Sequence, residues 1–483
     1  MPAEPTERVV AISDIHMGAD NGRSIFSAQQ ELAAFIDYLA AAPERLDLIV
    51  LGDALDYLQV SPFLDFTGAT ARQKTQAIVA HNREVFDAFG RFIGSGKRLR
   101  WCMGNHDIEL ALPEAQAELV DAVTRGVDPG AHARLELCLR SERLDYPLAR
   151  GGLLRLVHGN KGDPWNEVDH DALAEAVRTG APFPYPPGSR LVAEVLNPLK
   201  DDGFAHVDLL KPEQTVALPL TLALWPDNTK KHLAAAFPAF FATKAVGIKS
   251  RLQRAFIGTR PRFGTSPPAG AVATATTPED LLASALSDSF AGQSNDARDQ
   301  TLNALSSLLG DAKGTEAFTR AVTTPQAPGK TFSGSLPERF IESALRACAD
   351  NANRRSNLWS LEAPDELDPY VSGAFEDGAV VVVAGHTHLA RAVSYPGGYY
   401  LNTGTWANLM RIPAYVRGAE FAAHARSLKE FLKHPELAPA ELRPFQRLTY
   451  ADVDLRPAAG GPAFRAELRE WTPGPSRAVS RFP

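Results

Sequence analysis

The feature that most constrains this chain is a repeated arrangement. A short apolar run ends at a small residue, and Asp, Asn or His follows. "RVVAIS" (8–13) runs into Asp14 and His16, and "LDLIVLG" (46–52) into Asp53. "RLRWCMG" (98–104) runs into Asn105, His106 and Asp107, and "GLLRLVHG" (152–159) carries His158. "VVVVAG" (380–385) runs into His386 and His388. Runs of this length bounded by turn residues read as buried strands. "AQQELAAFIDYLAAA" (28–42) lies between the first two and has helical spacing, so the start of the chain reads as a βαβ unit with parallel strands. Parallel strands in an open α/β sheet present their C-terminal ends along one edge, where ligands bind. Groups from position 14 to position 388 can therefore converge.

The residue types point to a metal centre. Asp, Asn and His supply oxygens and imidazole nitrogens, a set suited to Mn, Fe or Zn rather than to a thiolate-rich structural zinc site. Asp14, His16, Asp53, Asn105, His158, His386 and His388 exceed what one tetrahedral ion needs. Two ions about 3.5–4 Å apart, bridged by one carboxylate, would use them all, lower the pKa of a bridging water and neutralise phosphoryl charge. His106, not itself a ligand, would protonate a leaving alkoxide or steady the phosphoryl oxygens, with Asp107 orienting its ring. Asp56 is expected to fix a turn. Strand alternation would turn His386 and His388 to one side if the extended backbone persists through Thr387. Any one block alone is a weak signal, whereas five in order, each after a predicted strand, form a site.

In that order, "DIH", "GDALD", "GNHD", "VHGN" and "GHTH" resemble the five-block signature of the calcineurin-like metallophosphoesterases. The resemblance covers about residues 8–163 and 379–408. It implies an α/β fold, a two-sheet αββα sandwich. It also implies two divalent metal ions, Mn2+ foremost, with Fe, Zn or Ni as alternatives. Asp14, His16, Asp53 and His388 would hold one; Asp53, Asn105, His158 and His386 would hold the other, with Asp53 bridging. His106 takes the catalytic histidine's place. "ISDIHMG" and "YYLNTGTW" (399–406) are similar to the branch containing the UDP-2,3-diacylglucosamine pyrophosphatases, which cleave a lipid-linked pyrophosphate at a membrane surface beneath a helical cap. This chain differs from the best-known members in carrying His106 where they have Arg, and Asn160 where they have Asp.

The domain reading is a core in two parts, 1–165 and 376–483, around a mostly helical cap or lid, 166–375. Further expectations are a helix over 75–93, a strand over 133–141 and a hairpin over 391–395 and 399–405. C-terminal strands are expected over 447–455 and 462–471. Within the insertion, "APFPYPPGS" (181–189) reads as a loop, helices begin near Thr277 and Ser335, and 258–277 reads as a connector. Residues 228–278 hold eight Lys or Arg and no Asp or Glu. They read as a solvated helix, or, over 228–262, as a basic lid for an anionic amphiphile or a peripheral membrane contact.

Composition narrows the class. Apolar residues make up 45% and charged residues 22%, the balance of a globular protein, and a net charge of −7 gives no global sign of a nucleic-acid binder. Cys102, Cys138 and Cys348 are far apart in sequence and form no CxxC, so no disulfide framework and a reducing compartment are expected. "MPAEPTERVVAISDIH" has no apolar signal region, and no run is long enough to span a membrane. The expected location is cytoplasmic, peripheral at the membrane if the basic lid reads correctly. The leading function is hydrolysis of a phosphate ester, phosphodiester or pyrophosphate in a small molecule or lipid. A UDP-2,3-diacylglucosamine-type pyrophosphatase acting on a lipid-linked substrate, a nuclease and a non-catalytic metal-binding scaffold are the alternatives; nucleic acid is not the expected partner.

Overall fold

The computed structural model describes residues 5–139, 143–161, 163, 166–201, 203, 207–211, 359–411, 434–437, 443–456, 464–472 and 476–482. By its contacts the chain divides into two compact units. One comprises Met1–Ala193, Asn357–Leu409 and Phe445–Pro483; the other comprises Glu194–Ser356 and Met410–Pro444. The basic run over 228–262, the helices expected at Thr277 and Ser335 and the connector over 258–277 lie outside the described residues.

The strands in chain order begin with β1 (Arg8–Ile12), β2 (Leu46–Leu51), β3 (Arg98–Cys102), β4 (Leu135–Cys138) and β5 (Leu144–Pro147). Then come β6 (Leu153–Leu156), β7 (Leu210–Lys211), β8 (Ala379–Ala384), β9 (Arg391–Tyr395) and β10 (Gly398–Asn402). The last are β11 (Met410–Arg411), β12 (Thr449–Asp454), β13 (Arg465–Glu470) and β14 (Arg477–Phe482). The helices used below are α1 (Gln29–Ala40), α2 (Gly68–His81), α3 (Arg83–Gly94), α4 (Pro113–Thr124) and α5 (His170–Thr179).

In the first unit, one sheet has the order β14-β13-β12-β1-β2-β3-β4 and the other β5-β6-β8-β10-β9. β1 to β4 run parallel, as do β6, β8 and β10. Side-chain alternation along the strands builds the layers. Val10, Ile12, Leu48, Val50, Leu99 and Trp101 face α1, α3 and α4 through Phe35, Phe86, Phe89 and Leu119. The alternate residues Val9, Ala11, Ile49 and Leu51 meet Leu154, Leu156, Val381, Val383 and Leu401 of the second sheet. The outer face of that sheet, with Val382, Ala384 and Tyr400, packs on Leu367, Val371 and Ala374 at the helix Asp368–Glu376. The result is helices, sheet, sheet and helix: the two-sheet α/β sandwich expected.

Several elements differ from the sequence reading. The single helix expected over 75–93 is two, α2 and α3, broken at Asn82. Asn82 Nδ2 donates to the Ile78 and Gly18 carbonyls at 2.8 and 2.9 Å, a side-chain alternative to the helical ladder. The strand expected over 133–141 starts only at Leu135, because a 3₁₀ turn opened by Pro129 runs from Pro129 to Arg134; residues 140 and 141 lie outside the described residues. α4, β5 and β14 were not singled out in the sequence. Residues 166–193, read as insertion, group with the first unit, since Val168, Leu173, Ala176, Phe183 and Tyr185 are part of its core. In the second unit β7 and β11 form a parallel pair, and Lys200 pairs with Asp208. Among the described residues, no helix is long and apolar enough to cross a membrane.

Candidate metal centre

Each block lies in the loop that follows a parallel strand. The backbone there turns sharply: Asp14, His16, Asp53, His386 and His388 have φ of 51°, 55°, 52°, 69° and 60°. Leu64 is the sixth non-glycine residue of this kind among the described residues. Left-handed backbone is uncommon outside glycine and, where the surrounding structure enforces it, gathers at functional sites. It also corrects one expectation. β8 stops at Ala384, and the extended run through Thr387 is absent. Backbone reversals at residues 386 and 388, not strand alternation, place these two histidines.

The loops fasten to one another. Asp14 N donates to Gly52 O at 3.1 Å, His16 N to Asp53 O at 2.9 Å, and Gly385 N to His158 O at 2.9 Å. His386 N donates to Asp14 Oδ2 at 2.9 Å. Two glycines make this approach possible. A Cβ on Gly104 would overlap Asp53 Oδ1 and stand 2.7 Å from His158 Nε2, and one on Gly385 would overlap Asp14 Oδ2.

The side chains assemble into buried groups. Asp14, His16 and His388 form one, Asp53, His158 and His386 a second, and within each the potential ligand atoms lie within 4.8 Å of one another. His388 Nε2 is 2.9 Å from His16 Nε2 and 3.4 Å from Asp14 Oδ1. His158 Nε2 is 3.2 Å from Asp53 Oδ2 and 3.2 Å from Asn105 Oδ1. His386 and His388 thus fall in different groups. Asp53, expected to bridge, falls in the second, and its Oδ1 accepts the His106 amide at 2.8 Å.

The donor chemistry suits hard or borderline cations. Three imidazoles each commit one ring nitrogen to the protein. His158 Nδ1 donates to the Leu51 carbonyl at 2.9 Å, which turns Nε2 toward Asp53 and Asn105. His16 Nδ1 is 2.9 Å from Asp56 Oδ2, and His386 Nε2 is 3.0 Å from Asp163 Oδ2. Anchoring one nitrogen on a carbonyl or carboxylate fixes the tautomer and presents the other to a cation.

His106 stands beside the first group, its ring edge-on to His16 with centroids 4.8 Å apart. Its side chain, at 16% exposure, is the most accessible of the site imidazoles. The carboxylate against it is not the one expected. Asp56 Oδ2 is 3.2 Å from His106 Nδ1, whereas Asp107 accepts the backbone amides of Gly104 and Ala54 at 2.5 and 3.1 Å. Asp107 therefore ties together the loops after β2 and β3, and Asp56 orients both His16 and His106. Asp56 also accepts Leu58 N at 3.1 Å, the turn-fixing role read from sequence. The second role follows from the GDALD spacing, which sets Asp56 three residues beyond Asp53.

Charge is strongly polarised here. Burial alone would raise Asp14, but the hydrogen bond and charge of His388, with His158 behind, hold it down to about 2. Burial is likewise overcome at Asp53 by His158 and His106, and at Asp56 by His106 and His16; both carboxylates stay well below their usual range. Burial disfavours the charged form of His158, yet Asp53 beside it lifts it to about 9. Asp107 moves the other way: burial and the neighbouring Asp53 charge push it up to about 7.

"YYLNTGTW" underlies the whole arrangement. Asn402 Nδ2 donates to Gly385 O at 2.7 Å, Thr405 Oγ1 to Asp14 O at 2.6 Å, and Trp406 N to Asp14 O at 3.2 Å. The loop after β10 thus braces the loops that carry Asp14 and His386. Asp163 and this brace went unread in the sequence. Asp163 lies just beyond the fourth block with no spacing of its own, and small polar residues after a strand normally mark a turn.

Comparison with known proteins fits this geometry. Residues 7–195, which carry four of the five blocks, match the family model described as calcineurin-like phosphoesterase. A search of curated proteins finds no match. The match over 7–195 indicates a metal-dependent phosphoric ester hydrolase domain. The family it matches, the calcineurin-like phosphoesterases, uses divalent metals and acts on phosphate-containing substrates.

Proposed function

We propose that this protein hydrolyses a phosphate ester, phosphodiester or pyrophosphate with two divalent cations, manganese foremost. The observation that carries this reading is the pair of buried carboxylate–imidazole groups, Asp14–His16–His388 and Asp53–His158–His386. Asp14, His16 and His388 would hold one cation. Asn105, His158 and His386 would hold the other, and Asp53 would be shared. When bound, such a pair supplies charge neutralisation at the phosphoryl oxygens and a lowered pKa for attacking water.

The remaining work falls to the chain's own residues. Asp56 holds His106 at Nδ1, which leaves Nε2 to meet substrate. A proton on Nε2 can pass to the departing alkoxide as its bond to phosphorus breaks, or bridge to a phosphoryl oxygen. The left-handed loops keep both groups in place before substrate arrives, so little reorganisation accompanies the reaction.

The test is hydrolysis of bis(p-nitrophenyl) phosphate by the purified full chain with Mn2+ added. Asp53→Ala and His106→Ala should each lower turnover by about 10²-fold or more. Unchanged turnover in both would defeat the assignment.

A further inference from the structure

The sequence offers no disulfide framework, yet the fold places two of its cysteines side by side. Cys102 is the last residue of β3 and Cys138 the last of β4, and the two are register partners in the parallel pair. Both side chains lie on the face turned to the second sheet, in one core cluster with Leu51, Leu154 and Leu156. Neighbouring strands run about 4.8 Å apart, inside the Cα separation of about 4.4–6.8 Å that a disulfide spans. Drawing the Cβ atoms to about 3.8 Å needs only a small approach of the two strand ends. β4 is an edge strand, so this approach is opposed on one side only.

We infer that Cys102 and Cys138 form a peroxide-oxidisable thiol pair that closes reversibly to a disulfide. A slot of about 30 Å³ reaches Cys102, lined also by Met103, Arg143 and Gly159. That is room for a molecule the size of water or hydrogen peroxide beside the pair. The thiols are unequal. The Cys138 thiol is held below its usual range by the Cys102 S–H, and the same contact with burial pushes Cys102 up. Cys138 Sγ also donates to Glu136 Oε1 at 3.7 Å, and with its proton passed to that carboxylate Cys138 is the thiol that attacks. Its sulfur forms a bond to one peroxide oxygen, the O–O bond breaks, and the departing hydroxide takes a proton to leave as water. The Cys102 sulfur then attacks the sulfenic sulfur, the S–O bond breaks, and hydroxide leaves with the Cys102 proton as a second water. Two thiols are oxidised by two electrons and one peroxide is reduced to two waters. A dithiol reductant reverses the bridge by exchange. Such a pair also fits a reducing compartment, where disulfides are transient.

The experiment is peroxide treatment of the full chain carrying Cys348→Ser, followed by intact mass and peptide mapping with alkylation. The expected result is loss of two hydrogens, a linked Cys102–Cys138 peptide, and return of both thiols with dithiothreitol. In Cys102→Ser, dimedone should label Cys138. Full alkylation of both cysteines after peroxide, or oxygen added to either cysteine without a link, would overturn the inference.

Discussion

Asp163 sets its Oδ2 3.0 Å from Nε2 of His386, joining the loop after β6 to the loop after β8. Asn166 Nδ2 donates to the same carboxylate oxygen at 2.7 Å, so Asp163 is itself held. The pair fixes the ring of His386 from outside the five blocks. Asp163→Ala should weaken Mn2+ affinity about 10–100-fold, the usual effect of losing a carboxylate behind a metal-bound histidine. Titration calorimetry reads this directly. An unchanged Kd would assign Asp163 to loop structure alone.

Asp56 serves two imidazoles and so has two separable effects. Asp56→Asn keeps the size of the side chain but removes the charge facing His16 and His106. Turnover should fall about 10–100-fold. Raising Mn2+ to saturation should restore only the part due to His16, since the role proposed for His106 is on the substrate. Complete recovery at saturating cation would remove His106 from the chemistry.

Proton linkage has a definite sign. In the cation-free protein His158 is raised to about 9, above the ordinary imidazole value near 6.5. Its contribution to stability is fully present below about pH 6.5 and is lost as pH rises through about 9. A cation at Nε2 must displace that proton, so Mn2+ affinity should climb across this window with release of protons. Calorimetry in buffers of different ionisation enthalpy counts the protons. Binding without proton release between pH 7 and 8 would contradict the assignment of His158.

A second buried pair joins α2 to the turn after Asp107. Lys74 Nζ lies 3.3 Å from Glu109 Oε1, both side chains 1% exposed, and Tyr185 donates its hydroxyl to the same oxygen at 2.9 Å. Lys74→Met leaves the carboxylate buried and uncompensated and should cost about 3–5 kcal/mol in denaturant unfolding. Adding Glu109→Gln should recover part of that loss. A single variant as stable as wild type would show the pair to be incidental.

The strands and the order of the polar blocks were legible in the sequence because buried parallel strands are short, apolar and bounded by turn residues. Their stacking into two sheets followed from family resemblance, since periodicity alone does not say which strands share a sheet. The residues that hold the imidazoles were harder to read. Asp56 and Asp107 carry the same side chain near the same loops, and only the backbone path decides which one reaches His106. The placement of His386 and His388 rests on two left-handed residues that no hydrophobic pattern encodes. Tyr185 lies in a Pro-rich stretch that reads as loop, yet its ring is buried against the first core. Cys102 and Cys138 meet only because β3 and β4 pair in register.

His386 and His388 are proposed to serve different cations, and a count of bound metal is the sharpest test of that division. Full-length protein equilibrated with Mn2+ and measured by plasma mass spectrometry should hold about two ions per chain. His386→Ala and His388→Ala should each retain about one. Fewer than one ion in the wild-type chain, or two ions retained in both variants, would contradict this division of the two histidines.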